Sequence, residues 1–267
     1  MSETGADKVI LSTTREGVAR ITLNRANVHN AFDDRLIAEL TAELERVGSD
    51  PAVRIVVLTG EGGTFSAGAD LNWMRGMVAA SEADNRADSL RLARLMRTLN
   101  FLPKPTIARV NGSAYGGGIG LIACCDMAIG VIDGKFSLSE VKLGLVPAVI
   151  SPYVIAAIGA RQARRFFIGG EVFDASEATR VGLLHQSVES AELDSAVDRA
   201  VHWFGKGGPV AQREAKQLAL RVGGMTVESA ERVDVQNAEL IARLRVSIEG
   251  QQGLAAFLDR QSPPWVS

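Results

Sequence analysis

Cysteine is nearly absent from this chain: two residues in 267, adjacent at Cys124 and Cys125. A vicinal disulfide is strained, and two thiols are too few for a metal, so the pair predicts buried free thiols in a reducing compartment. Histidine is almost as scarce. His29, His185 and His202 stand far apart and fit no metal-ligand spacing, so no metal site is expected. Neither sign of charge dominates. Lys plus Arg number 29 against 31 Asp plus Glu, a net charge of −2, which excludes a global basic field for nucleic acid or anionic membrane. No apolar run is long enough to span a bilayer without Gly, Asp or Lys interrupting it. The opening MSETGADKVILS lacks a basic stretch followed by an apolar one, so no export signal is read and a cytoplasmic location is expected. Internal repeats, low-complexity tracts and Pro/Ser linkers are also missing.

What remains is a globular composition, 46% hydrophobic and 22% charged, with enough length for a large core. Residues 18–24, VARITLN, alternate as a strand does. Phe32, Leu36, Leu40, Leu44 and Val47 recur at helical spacing behind Asp33 and Asp34, which suit a helix start. RIVVLTG at 54–60 reads as a buried parallel strand. From Trp73 the pattern loosens, until Ser81-Glu-Ala-Asp84 caps a helix carrying Leu92, Leu95, Met96 and Leu99. Pro103 and Pro105 end it, and strands follow at 106–110 and 126–132 with a glycine turn and short helix between them. Alternating strands and helices predict a wound α/β architecture. The last third is helical: one helix from Pro209 to about Val222, a long amphipathic segment from Thr226 to Ile248, and a short helix over 251–259.

The stretch richest in chemical meaning is PTIARVNGSAYGGGIGLIACCD at 105–126. A strand runs into three consecutive glycines and then into a helix, whose first N–H groups lack partners and favour anions. TFSAGADLN at 64–72 repeats that logic, and two such loops predict paired backbone donors around one carbonyl oxygen. Glycines in tight turns are the plainer reading of either loop alone. Glu140, flanked by Leu138, Val141, Leu143 and Leu145, is open to two readings. Apolar packing would raise its pKa and suit a general acid/base; a turn position would leave it solvated or paired with Lys142. TFSAG is a poor nucleophile elbow because Thr64 replaces the first glycine. Gly118-Ile-Gly120-Leu-Ile-Ala123 matches a dinucleotide fingerprint, but the acidic residue expected at the end of the next strand is missing and the unit lies mid-chain.

Several segments in order resemble the crotonase, or enoyl-CoA hydratase/isomerase, superfamily. They are LNRANVHNAF at 23–32, FSAGADL at 65–71, NGSAYGGGIGL at 111–121, ACCDMAIG at 123–130, FSLSEVKLGLVP at 136–147, EVFDASEATRVGLLHQSV at 171–188 and AFLDRQSPP at 256–264. The resemblance implies an α/β spiral of ββα turns over residues 1–205 and a C-terminal helical oligomerisation subdomain over 206–267. It implies a homotrimer or dimer of trimers, and an acyl-CoA thioester as ligand, with coenzyme A entering as part of the substrate and no separate cofactor. By motif match the N–H groups of Ala69 and Gly117 hold the thioester oxygen and Glu140 moves the proton. Gly116, Gly120 and Pro147 border the site, and Val28, His29, Ala67, Asp70 and Leu71 line the coenzyme A path. Lys is common in the family at Asn27, so Arg260 is the alternative source of charge.

Two departures from the family pattern stand out. Two-glutamate hydratases carry their first carboxylate at the position of Gly120, which has no side chain. PAVISPYV at 147–154 replaces a glycine-rich run beside the acyl pocket. With one carboxylate left, the expected activity is that of a hydro-lyase adding water to an α,β-unsaturated acyl-CoA. The subgroup it resembles comprises the methylglutaconyl-CoA and isohexenylglutaconyl-CoA hydratases of leucine and acyclic terpene breakdown. An enoyl-CoA isomerase and a non-catalytic acyl-CoA-binding protein are the alternatives. Trp73 and Met74 either line the acyl pocket or pack in the core. Arg75 is either the cation for a second substrate carboxylate or a solvated surface charge.

Overall fold

The computed structural model describes residues 9–266. Most of the N-terminal stretch read above for an export signal lies outside the described residues. Among the described residues ten strands form two sheets. The larger has six strands: β1 (Ile10–Arg15), β2 (Val18–Leu23), β3 (Ile55–Gly60), β5 (Thr106–Val110), β7 (Met127–Val131) and β10 (Gln186–Val188), adjacent in that order. The smaller has four: β4 (Thr64–Ser66), β6 (Ser113–Tyr115), β8 (Lys135–Ser137) and β9 (Val172–Asp174). Pairing is parallel except at β1–β2 and β8–β9. The central turns of the chain, from β3 to β8, each place one strand in the large sheet, the next in the small sheet, and then a helical segment. β3–β4 leads into α2 (Leu71–Ala79) and α3 (Glu82–Asn100); β5–β6 leads into α4 (Gly117–Cys124). This is the expected ββα spiral.

The period-2 geometry of strands explains how the large sheet is covered on both faces. In β3, Val56 and Leu58 enter the main core, while Ile55 and Val57 face a second cluster under α7 (Leu193–Gly205). Ile107 of β5 and Ile129 of β7 join that second cluster. α1 (Asp34–Ser49) starts where expected, with Asp33 Oδ1 accepting from Leu36 N–H at 2.8 Å. Phe32 is not part of its apolar stripe; it precedes the helix in an isolated parallel bridge to Ala69. The loosened stretch after Trp73 lies within α2, whose N-cap is Asp70. Cys124 and Cys125 are buried free thiols, and burial pushes Cys125 up to about 12.

The long segment after Thr226 is two helices, α9 (Val227–Val246) and α10 (Ile248–Leu258), parted at Ser247, which caps the second. α9 packs along α3, and α10 packs on α2 and the turn at Glu140–Leu143, so both fold back onto their own core. α8 (Pro209–Val222) has no buried residue and exposes Val210, Leu218 and Val222. Among the described residues no helix is long and apolar enough to cross a membrane, and no cluster of three His, Cys, Asp or Glu could hold a metal ion.

Candidate active site

The two glycine loops meet. A Cβ on Gly68 would stand 2.9 Å from the Tyr115 carbonyl oxygen, and one on Gly118 would stand 2.9 Å from Ser66 Cβ. Neither contact tolerates a side chain, so these glycines allow the loops to lie backbone against backbone. The bridge from Phe32 sets the orientation of the first loop. Phe32 N–H donates to Gly68 O at 2.6 Å, and Asp70 N–H donates to Phe32 O at 2.8 Å. Peptide groups alternate in extended chain, so Ala69 N–H is turned away from this partner. The Phe32 ring then fills the space where Gly117 lacks a Cβ, 2.6 Å from the ideal Cβ position. Gly117 is the first residue of α4, where a helix leaves its N–H groups unpaired. Neither the Ala69 nor the Gly117 N–H has an acceptor among the described residues.

Both loops open on a cavity of about 180 Å³ that is also lined by Glu140, Ala67, Gly116, Trp73, Met74 and Pro147. Glu140 begins a short 3-10 turn after β8. Its Oε1 lies 3.0 Å from where a Cβ on Gly116 would be, and Gly116 has φ +47°, ψ −116°, a conformation open essentially to glycine alone. Glycine at 116 therefore gives both the backbone bend and the room for the carboxylate. Glu140 Oε2 is buried and without a hydrogen-bond partner. Burial pushes its pKa up to about 7, against a smaller opposing pull from a backbone hydrogen bond. The solvated reading of Glu140 does not describe this environment.

Gly120 is buried and does not line the cavity. A Cβ there would stand 2.4 Å from Ile150 Cγ2, 2.9 Å from Ile150 Cβ and 3.2 Å from Met96 Cε. The two departures noted in the sequence are thus one packing feature: Ile150, from PAVISPYV, occupies the room a side chain at 120 would need, and Ile150 lines the cavity. Trp73 and Met74 line it as well, although Met74 is also a core residue.

The remaining candidates lie further out. Val28 and Asp70 border a neighbouring cleft of about 640 Å³, which shares Trp73 and Met77 with the cavity. Asp70 is occupied structurally: it caps α2 through the N–H groups of Asn72 and Trp73 and sits 3.1 Å from Arg25. Leu71 is 47% exposed at the start of α2. His29 is exposed with Nδ1 3.1 Å from Thr64 Oγ1, and Arg260 is exposed just after α10. Arg75 is exposed and donates to Asn72 Oδ1 at 2.8 Å, so it is a surface charge. Sequence reasoning missed Phe32, Ile150 and Arg245. Arg245 lines the cavity and is 8% exposed. Its only signal was position: it continues the buried stripe Ala238, Ile241, Ala242 of α9.

The enoyl-CoA hydratase/isomerase family profile matches residues 13–267. The chain belongs to this family, the crotonase superfamily. It is 32% identical to a hydroxycinnamoyl-CoA hydratase-lyase of Pseudomonas fluorescens over 97% of this chain and 95% of that one. It is 31% identical to a 2,3-dehydroadipyl-CoA hydratase of Escherichia coli, covering 95% and 97% of the two chains. Among solved structures, an enoyl-CoA hydratase from Shewanella pealeana superposes with TM-score 0.79 at 40% identity, over 98% of this chain and all of that one. This crotonase is therefore an enoyl-CoA hydratase-family enzyme acting on acyl-CoA.

Proposed function

We propose that this crotonase hydrates an α,β-unsaturated acyl-CoA of the branched glutaconyl type, with Glu140 as its single proton carrier. The observation that carries the reading is the shared cavity: two unpaired backbone N–H groups, of Ala69 and Gly117, and one buried carboxylate with an unpartnered oxygen. The thioester oxygen accepts from both N–H groups, which polarise the conjugated double bond. Glu140 takes a proton from water as the water oxygen bonds to the β carbon, and negative charge collects on the held oxygen. The protonated Glu140 then delivers that proton to the α carbon and returns to its carboxylate form. Water is added across the double bond and nothing else is consumed. A pKa near 7 suits both halves of the cycle.

An apolar Ile150 where a second carboxylate would be means that one acid serves both proton transfers. The test is product analysis by proton NMR in heavy water after incubation with enoyl-CoA and glutaconyl-CoA esters. A 3-hydroxyacyl-CoA with deuterium at the α carbon is expected. A migrated double bond without added oxygen would make the protein an isomerase, and saturable binding without turnover would make it a non-catalytic acyl-CoA binder.

Residues 206–267 serve in this reading as an oligomerisation subdomain of a trimer or dimer of trimers. The exposed Val210, Leu218 and Val222 of α8, and Trp203 of α7 at 67% exposure, support it. Sedimentation equilibrium should give three or six times the 28.4 kDa chain mass; a monomer would refute it. The subdomain also contributes Ile241, Arg245, Leu254 and Phe257 to the cavity, so it shapes the acyl site as well.

A further inference from the structure

Arg245 is a buried cation with no counter-ion among the described residues. Among the described residues no carboxylate lies within ion-pair distance of its guanidinium. Three partly buried arginines elsewhere do have carboxylate partners: Arg25 pairs with Asp33 and Asp70, Arg97 with Asp234, and Arg109 with Asp194. Nη1 of Arg245 reaches only neutral groups, Asn85 Oδ1 at 3.4 Å and Ser89 Oγ at 3.3 Å. Nε is buried with no partner at all. Burial without a compensating anion lowers its pKa to about 10.

Asn85 and Ser89 are themselves committed. Asn85 Nδ2 donates to the carbonyls of Met77, Ala80 and Ser81, and Ser89 Oγ donates to Asn85 O at 2.8 Å. They hold the guanidinium in place without neutralising it. A second unpartnered buried donor, Trp73 Nε1, belongs to the same cavity. The surrounding wall is apolar: Met74, Met77, Leu92, Ile150, Ile241 and Leu254. A plain aliphatic acyl chain would complete the apolar burial and leave the charge stranded. A carboxylate at the far end of the acyl chain would supply what the guanidinium lacks, in the planar two-point geometry that arginine favours.

We infer that Arg245 is the specificity residue for a distal carboxylate on the acyl chain, so that the enzyme selects enoyl-CoA esters of dicarboxylic acids. This rests on the reading of the cavity as the acyl site, and it assigns to Arg245 the role that the exposed Arg75 does not fill.

The test pairs ligands of equal carbon count that differ in the terminal charge, on the full-length protein and on R245M and R245K. Turnover of glutaconyl-CoA is compared with that of 2-pentenoyl-CoA. Binding of the non-reacting glutaryl-CoA is compared with that of pentanoyl-CoA by calorimetry. Wild type should favour the charged member of each pair by about ten- to a hundredfold, the range for charge-assisted hydrogen bonds. R245M should lose that preference, its losses in turnover and binding falling about ten- to a hundredfold more heavily on the charged member of each pair than on the neutral one, and R245K should recover part of it. Ligand-free R245M should melt no lower than wild type, because the residue removed is an unpaired buried charge. Equal losses on charged and neutral ligands, or a wild type indifferent to terminal charge, would overturn the inference. A charge preference in binding without any hydration would uphold Arg245 and defeat the hydratase reading; hydration without charge preference would do the reverse. If R245M does not fold, the wild-type and R245K preferences in binding decide the matter.

Discussion

Glu140→Gln keeps the size and polarity of the side chain and removes its ability to carry a proton. The structure makes two predictions of opposite sign for it. Activity should fall by about two to four powers of ten, the range for loss of a general acid/base. Stability near neutral pH should rise. Burial lifts the Glu140 pKa from 4.5 to about 7, so the folded state disfavours the ionised carboxylate. Each tenfold change in an ionisation constant is about 1.4 kcal/mol, which sets the full penalty at about 3 kcal/mol. A folded-state pKa above the unfolded one means that the unfolded chain releases its proton first as pH rises. Stability therefore falls between pH 4.5 and 7, and the loss is complete above 7. Urea unfolding followed by tryptophan fluorescence, at one protein concentration, should find the variant more stable by about 3 kcal/mol at pH 8 and by about 1 kcal/mol or less at pH 5. A stability difference independent of pH would show that Glu140 is not buried as described. Wild-type turnover in the variant would remove it from the mechanism.

Two further outcomes follow from the same geometry. If Glu140 must be ionised to accept the proton of water, kcat/KM for hydration should rise with pH through about 7 and level off, and a flat profile from pH 5 to 9 would contradict this. Gly120→Ala places a methyl 2.4 Å from Ile150 Cγ2 and should destabilise by about 1–3 kcal/mol as overpacking does. Truncating the neighbour as well, in G120A/I150A, should give a loss smaller than the sum of the two single variants; strict additivity in that double-mutant cycle would mean that the two residues do not share one space.

The order of elements was legible because local rules set it. Asp33, Ser81 and Thr226 stand where helix N-caps are needed, and each accepts from the backbone of the following turn. The apolar run of β3 announced a strand buried on both faces. Phe32 was misplaced because its spacing to Leu36 and Leu40 fits a helix, while its actual partner, Ala69, is remote in sequence. The break at Ser247 was hidden because the apolar stripe runs on across it, and only the cap marks the new helix.

The sequence alone determined which residues could do chemistry here: glycines that free backbone N–H groups, one glutamate among leucines, and no metal-binding spacing. Only the tertiary structure decided their environment. It set Glu140 against Gly116, showed that Gly120 and Ile150 are two halves of one packing choice, left Arg75 on the surface and placed buried Arg245 in the cavity wall. The physical reason is that a charge is defined chemically by what surrounds it. Burial and partners come from segments far apart in the chain, and no local pattern in the sequence records them.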